Sequence, residues 1–301
     1  MDAQLKNLPD AALALKGLSE KLIRNHYQNN YAGAVKRLNA IRGKLSELPF
    51  ATAPGFEING LKREELVATN SMLLHELYFD CLSADATPMA PPVVLALQAN
   101  FGSPQRWREE FTAMGKALGG GSGWVLLVFN PREGTLVNQW ASDHTQVLAG
   151  GIPILALDMY EHAYHMDFGA AAGQYVDAFM ENIHWARVYE RYQAAVEATS
   201  EAFGAGQDEL AGAQIFDVRR AGVFEQADAL IPGAQWRDPA QVGSWGQQLR
   251  TGEPVIIYCV YGHEVGRATT MRLRAAGLDA RFLRGGIDAW KTAGLPLAKR
   301  Y

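Results

Sequence analysis

Apolar positions along this chain fall into short unbroken runs and longer periodic stretches. Trp124–Phe129, Ile152–Leu157 and Val255–Cys259 are continuous, bounded by turn residues and too short for buried helices, so each predicts a buried strand. Leu278–Leu283 is expected as another strand, with Gly285-Gly286 as its turn. Helical patterns run from Arg187 through Tyr192, Ala195 and Val196, and from Arg267 to Ala276, where Gly277 stops the helix. Gly119–Gly123 reads as the turn before strand 124–129, because it lacks the Gly-Lys-Ser/Thr ending of a phosphate loop. Small and polar residues dominate 198–213 and predict a linker, or a short helix in a linker. A fresh alternation of strands and helices begins at Gln214. The length of 301 residues, at roughly 150 per domain, fits this division into two.

Composition narrows the class. Hydrophobic residues make up 48% of the chain, enough for a core in each half. A net charge of −4 and a pI near 6.0 give no electrostatic case for a nucleic-acid partner. The N-terminus has no signal-like segment, and no apolar run approaches the ~18 residues of a membrane span. These features predict a cytoplasmic protein without membrane association. Its two cysteines, Cys81 and Cys259, fall in different halves and read as free thiols.

The candidate chemistry centres on Asp158-Met-Tyr-Glu-His162. A strand ending in Asp and turning into a helix that opens Glu-His can aim a carboxylate and an imidazole at one point. Taken alone, the spacing also fits a surface aspartate beside a packed histidine. The apolar run before Asp158 predicts burial, however, and a buried charge needs a partner. His26 and His75 lie upstream and can complete a mononuclear metal site. Three imidazoles and a carboxylate, without thiolate, accept iron or manganese and also admit copper or zinc.

On these residues the chain closely resembles the iron/manganese superoxide dismutases. Asp158-Met-Tyr-Glu-His-Ala-Tyr164 is similar to their D-x-W-E-H-A-Y signature. His26-Tyr27 followed by Leu38-Asn39 resembles the helix of the first ligand. His75-Glu-Leu-Tyr-Phe-Asp-Cys-Leu82 resembles that of the second, where H-x-x-Y-W-N is usual. Gly121-Ser-Gly-Trp124 is similar to the G-S-G-W that opens the sheet, and Asn182-Ile-His-Trp185 to the closing N-W helix. The resemblance implies His26, His75, Asp158 and His162 as ligands of one iron or manganese ion per subunit, with a lean to iron. It also implies superoxide as substrate and a homodimer or higher homo-oligomer, in which Glu161 reaches His162 across the subunit boundary. Glu161 equally suits a helix N-terminus, where the dipole favours it.

Around the ligands the sequence departs from the family. Ala34 stands where the gateway tyrosine is usual, Asn30 replaces a channel histidine with Tyr31 beside it, and Ser71 replaces the glutamine of iron-type members. Tyr160 replaces the signature Trp, and His165 the second tyrosine of E-H-A-Y-Y. By the resemblance, His144 substitutes for the glutamine in an outer-sphere hydrogen bond to metal-bound solvent. Asn30, Tyr31 and His165 are then candidates for the access channel. His165 and His184 also read as ordinary packing residues. These departures bear on proton delivery, rate and metal choice.

In the second half, Cys259 ends a strand, under loop 260–266 and before a helix. Amides aimed at it should lower its thiol pKa and make it a nucleophile. The alternative is a small apolar residue at a strand end. Asp217-Val-Arg219, Ile231-Pro-Gly-Ala234, the Tyr258-Cys259 loop and Arg284-Gly-Gly-Ile-Asp-Ala-Trp290 with Lys-Thr-Ala-Gly-Leu-Pro296 together resemble a rhodanese domain. This implies sulfur transfer through a Cys259 persulfide, with a sulfur donor or thiol acceptor as partner. Where C-x-x-G-x-R-S is common, Glu264 replaces the arginine. Arg267 or His263 is a candidate to compensate; the loss of the arginine counts against thiosulfate as donor, a persulfide or other thiol acceptor fits as well, and a non-catalytic, regulatory rhodanese fold is the alternative.

The expected fold class is therefore a two-domain chain. An N-terminal α+β unit of the iron/manganese superoxide dismutase type has a helical hairpin over about 1–95 and a mixed α/β half over about 96–195, with strands near 124–129, 135–141 and 152–158. A linker at 196–211 precedes an α/β rhodanese-like domain over about 212–301. The leading function is superoxide disproportionation with attached sulfur transfer. Alternatives are a sulfurtransferase, or a redox-sensing protein, using the first unit as a metal-binding dimerisation scaffold.

Overall fold

The computed structural model describes residues 2–85, 87–249 and 251–300. Ser19 caps α1 (Glu20–Asn25) by accepting the Leu22 N–H at 3.0 Å, the usual role of a short hydroxyl side chain at a helix start. The helix widens into a π turn over His26–Tyr31, an irregularity frequent at functional sites. It then regains α geometry as α2 (Ala32–Glu47). Antiparallel to it runs α3 (Gly55–Asp80), and Leu38, Ile41, Leu45 and Ala68 form their apolar seam. This is the expected hairpin. Two further helices, α4 (Pro91–Phe101) and α5 (Pro104–Ala117), both open on proline, whose missing N–H leaves nothing unsatisfied at that position.

A three-stranded antiparallel sheet follows, ordered β2-β1-β3, from β1 (Trp124–Asn130), β2 (Thr135–Ala141) and β3 (Ile152–Asp158). Trp124–Phe129 of central β1 is fully buried, so both faces of the strand are covered and its sequence is continuous rather than alternating. Register slips at Leu127/Val128, where Pro153 faces Val128 on the edge strand β3. A residue without an N–H is tolerated at such a bulge. The chain then passes through a 3₁₀ turn (Glu161–Ala163), α6 (His165–Phe168), α7 (Ala172–Glu181) and α8 (Trp185–Ser200).

The second unit is an α/β layer structure. Its elements are β4 (Gly204–Ala205), β5 (Gln214–Asp217), α9 (Ala221–Glu225), β6 (Ala229–Leu230), β7 (Gln235–Trp236), α10 (Val242–Trp245), β8 (Val255–Tyr258), α11 (Glu264–Ala275), β9 (Ala280–Leu283), α12 (Gly286–Thr292) and β10 (Ala298–Lys299). The main sheet is parallel, in the order β4-β9-β8-β5-β7, and β6 pairs with β10 separately. Cys259 follows β8 directly, at the carboxyl end of the sheet.

Two details differ from the sequence reading. The stretch 196–211 is not a free tether: α8 continues to Ser200, and β4 joins the sheet beside β9. Its small residues permit close packing, with Val196, Ser200 and Ala205 all fully buried. The helix expected from Arg267 begins earlier, at Glu264, because His263 turns extended (φ −88°, ψ −158°) and serves as its N-cap.

The two units share a packed boundary. α11 lies on α8, and its Ala268 and Met271 belong to the apolar cluster of the first unit. Gly134, in the turn after β1, has φ +64°, and a Cβ there would stand 2.6 Å from the Met271 Cβ and 3.0 Å from the Ala268 carbonyl oxygen. Arg272 Nη1 donates to the Ala99 carbonyl at 3.2 Å. No helix among the described residues is long and apolar enough to cross a membrane. Gly134→Ala is expected to destabilise the chain by about 1–3 kcal/mol, through overpacking on α11 and through its left-handed backbone. Thermal unfolding checks this, and an unchanged Tm would mean that the turn moves freely off α11.

Candidate metal centre

Four elements each deliver one donor to a single point. The π turn carries His26, α3 carries His75, Asp158 ends β3, and His162 lies in the 3₁₀ turn. From Asp158 Oδ2 the Nε2 atoms of His26, His162 and His75 stand at 3.1, 3.2 and 3.5 Å. The Nε2 atoms of His75 and His162 are 3.4 Å apart, and all four donors lie within 4.8 Å of one another. Donors about 2.0–2.2 Å from a shared ion stand roughly 3–3.6 Å from each other. The three separations from Asp158 Oδ2 and the one between His75 and His162 fit that requirement.

Burial makes the arrangement electrostatically demanding. Asp158 and His26 are fully enclosed, and His75 is nearly so. A carboxylate enclosed among imidazoles places a negative charge in the interior, which a bound cation would balance. Burial alone would raise the Asp158 carboxyl, but the imidazoles of His162 and His26 outweigh it and hold it well below the usual carboxylate range. Burial pushes His75 down to about 3 and also lowers His26, so both keep a lone pair for a ligand at neutral pH. His75 Nδ1 donates to the Ser71 carbonyl at 2.6 Å, which fixes its tautomer with Nε2 facing the cluster. Asp158 Oδ1 accepts the Tyr160 N–H at 2.9 Å, and Tyr175 Oη donates to the Asp158 carbonyl at 2.7 Å. The buried Nδ1 of His26 has no hydrogen-bond partner among the described residues.

A cleft of about 250 Å³ reaches His75 and His162, lined among others by Asn30, Ala34, Ser71 and His144. Trp124 Nε1–H donates to His144 Nδ1 at 3.0 Å, so the proton of the neutral imidazole sits on Nε2. His144 stacks on Tyr160 at 4.8 Å between centroids, and Tyr160 stacks on His162 at 5.4 Å. Sequence reasoning had not linked these three rings.

Tyr31 and His165 are not in the cleft. The ring of Tyr31 is buried, its hydroxyl donates to Glu76 at 3.0 Å and accepts the Lys6 N–H at 2.9 Å, and burial raises it to about 12. His165 is exposed on α6. Tyr164, at φ −144° and ψ −23°, interrupts the helical geometry between it and His162, so a simple one-turn argument fails. Glu161 is also exposed; its carbonyl accepts the Tyr164 N–H at 3.1 Å, and its side chain makes no hydrogen bond among the described residues. His184 precedes α8, where its backbone N–H donates to the Cys81 carbonyl at 2.7 Å.

Residues 90–191 match the family described as iron/manganese superoxide dismutases, C-terminal domain. A superoxide dismutase [Fe] of Cupriavidus metallidurans is 64% identical over 193 residues, which cover 64% of this chain and 98% of that protein. The chain belongs to the iron/manganese superoxide dismutase family. More distant members include superoxide dismutase [Mn] 1 of Haloferax volcanii, 35% identical over 65% of this chain and 98% of that protein. Superoxide dismutase [Fe] of Aquifex pyrophilus is 31% identical over 61% of this chain and 88% of its own length. Residues 201–293 match the rhodanese-like domain, so a dismutase unit is joined to a second module.

In that module the Cys259 thiol is buried and faces Gly266, whose Cβ position would lie 3.3 Å from Sγ. The expected lowering of its pKa is not what the environment produces. Burial raises it and Glu264 adds to the rise, while the amides of Gly266, Gly262 and His263 pull the other way and are outweighed. Neither expected compensating cation faces the thiol. Arg267 donates to the Gly262 carbonyl at 2.7 Å, to Ser200 Oγ at 3.2 Å and to Glu201 at 2.9 Å. His263 is exposed, beside Tyr261 and Gln193. Left-handed Gly286 lets the next helix close under the loop: its Cβ would lie 2.4 Å from the Val260 carbonyl oxygen.

Asp158→Asn keeps the size of the side chain and removes its charge. Metal affinity should fall by more than the roughly 10–100-fold that loss of an outer partner costs. Elemental analysis of the purified protein checks this, and full metal content in the variant would exclude Asp158 as a ligand.

Proposed function

We propose that the chain disproportionates superoxide to oxygen and hydrogen peroxide with one iron or manganese ion held by His26, His75, Asp158 and His162. The observation that carries this reading is the convergence of three imidazole Nε2 atoms on one buried carboxylate oxygen, in a chain of this family. When bound, the ion supplies a one-electron couple that oxidises one superoxide and reduces the next. The lean to iron rests on the relative at 64% identity, named as an iron enzyme.

The protein's own groups have three tasks in this scheme. Ser71 orients His75 through its carbonyl, and the Tyr160 N–H with Tyr175 Oη fixes Asp158. The narrow cleft past Asn30 and Ala34 admits a small anion. His144, oriented by Trp124, holds a proton at Nε2 beside the donors, where peroxide formation requires one. Ala34 contributes no acidic hydroxyl at the place where the family usually has a tyrosine, so His144 carries more of the proton supply.

We assign residues 1–195 to the dismutase unit, about 212–301 to the rhodanese-like unit, and a cytoplasmic location to the whole. Glu161, exposed beside His162, is available to bridge two subunits of a homodimer. A second activity is favoured by the Cys259 loop, whose Gly262, His263 and Gly266 amides act on the thiol. There the chain transfers sulfur through a Cys259 persulfide.

Apoprotein reconstituted separately with iron and with manganese is expected to consume superoxide with one of them, and His162→Ala to lose that activity by more than about tenfold. Stoichiometric metal without superoxide consumption from either ion would sink the dismutase reading. Cys259→Ser is expected to leave superoxide consumption unchanged and to abolish thiocyanate production from cyanide and a sulfane sulfur donor. If the variant retains that production, Cys259 is not the sulfur carrier.

A further inference from the structure

Helix α8 touches both candidate centres. Its seat in the first unit is made by the two elements that meet at the metal donors. It packs on β3, the strand that ends in Asp158. Its start is tied to the end of α3, the helix that carries His75. There Arg187 and Arg191 pair with Asp80, and the His184 N–H donates to the Cys81 carbonyl at 2.7 Å.

In the second unit the same helix holds the middle of the Cys259 loop. Gln193 Nε2 lies 3.4 Å from His263 Nδ1, and the His263 carbonyl oxygen lies 4.0 Å from Cys259 Sγ. Ser200, the last residue of α8, accepts from Arg267 at 3.2 Å, and Arg267 donates to the Gly262 carbonyl at 2.7 Å. The start of the loop is held inside its own module, where the Ile287 and Asp288 N–H groups donate to the Cys259 and Val260 carbonyls at 3.0 Å. Residues 259–260 are therefore fixed by α12, while 262–263 lean on α8. Cys259 is only 6% exposed. A reagent reaches its sulfur when the part of the loop held by α8 lifts.

We infer that α8 makes Cys259 a reporter of metal occupancy: with a cation at His26, His75, Asp158 and His162 the loop stays closed over the thiol, and without one it opens more often. This rests on the metal-binding reading above. Removing the cation leaves an enclosed carboxylate and crowded ring nitrogens where α3 meets β3, which lowers the stability of that junction. Because α8 is seated on both elements, its local detachment then takes less free energy. The loop, anchored to α8 at 262–263, follows it. A chain without metal generates no peroxide and presents a reactive sulfur, while a loaded chain shields it.

Alkylation tests this on the full chain, prepared as apoprotein and reloaded with iron or manganese to measured stoichiometry. The thiolate displaces iodide from iodoacetamide, and peptide masses read Cys259 and Cys81 separately. Apoprotein should label at Cys259 faster than loaded protein by about fivefold or more, the lower end of ordinary coupling between sites. The rate should fall in step with metal content. Cys81, fully buried in the first unit beside Arg191, is the internal control and should label slowly in both forms. A Gln193→Ala/Ser200→Ala double variant should label at Cys259 at one fast rate, loaded or not, with unchanged metal content. Equal Cys259 rates in the apo and loaded wild type, or a ratio that survives the double variant, overturn the inference while leaving the metal site intact. Cys81 labelling in step with Cys259 also overturns it, since the whole first unit would then be unfolding. A chain that takes up neither metal overturns the metal-binding reading and this inference with it.

Discussion

A single fully buried carboxylate organises the dismutase unit. Asp158 ends an edge strand inside the protein, where an uncompensated charge is far too costly to keep. Its environment supplies one backbone N–H from Tyr160 and three imidazoles drawn from three other segments. Those imidazoles also crowd each other, with two Nε2 atoms 3.4 Å apart. The imidazoles keep the carboxylate ionised, but their ring nitrogens remain crowded. A cation balances the carboxylate and gives each lone pair a target. Metal binding is therefore coupled to the stability of the junction between the helical hairpin and the sheet.

Local irregularity does much of the positioning. His26 opens a π turn rather than continuing α1, and His162 sits in a 3₁₀ turn rather than a regular helix. Regular helices place side chains at fixed angular steps, which rarely suit four donors from four elements. A wider turn on one side and a tighter one on the other give the small adjustments needed. The outer layer is likewise built from different elements: Trp124 of β1 orients His144, and His144, Tyr160 and His162 form a stack. Replacing Trp by Tyr at 160 preserves an aromatic plate in that stack while changing its polar edge.

The strands were legible in the sequence because they depend on local pattern, and the structure groups the four residues that the family resemblance implied as ligands. The run 152–157 ends in Asp158 as a strand should, and Trp124–Phe129 forms a central strand as its unbroken apolar character requires. What was not legible depends on direction and on partners distant in sequence. Tyr31 lies next to Asn30, but only Asn30 lines the cleft, because the π turn points the tyrosine toward Lys6 and Glu76. The break at Tyr164 likewise sends His165 to solvent. For Cys259, the inward amides were predicted correctly, but burial and Glu264 outweigh them. The stretch 196–211 misled through composition: small residues are common in linkers, and they are equally what a close helix-to-sheet connection demands.

That connection makes the two modules mechanically one. Because α8 belongs to the dismutase unit and also holds Gly262, His263 and Glu264 in place through its side chains and its end, the Cys259 loop inherits its geometry from outside its own domain. The raised thiol pKa has a consequence in this setting. The thiolate is the form that peroxide oxidises, and a buried cysteine kept mostly as thiol reacts slowly. On the proposed reading the neighbouring unit generates hydrogen peroxide, so a freely ionised Cys259 would be exposed to a product of its own chain. Burial in the apolar cluster that includes Phe216, Ile257 and Leu273 trades nucleophilic strength for resistance to that product.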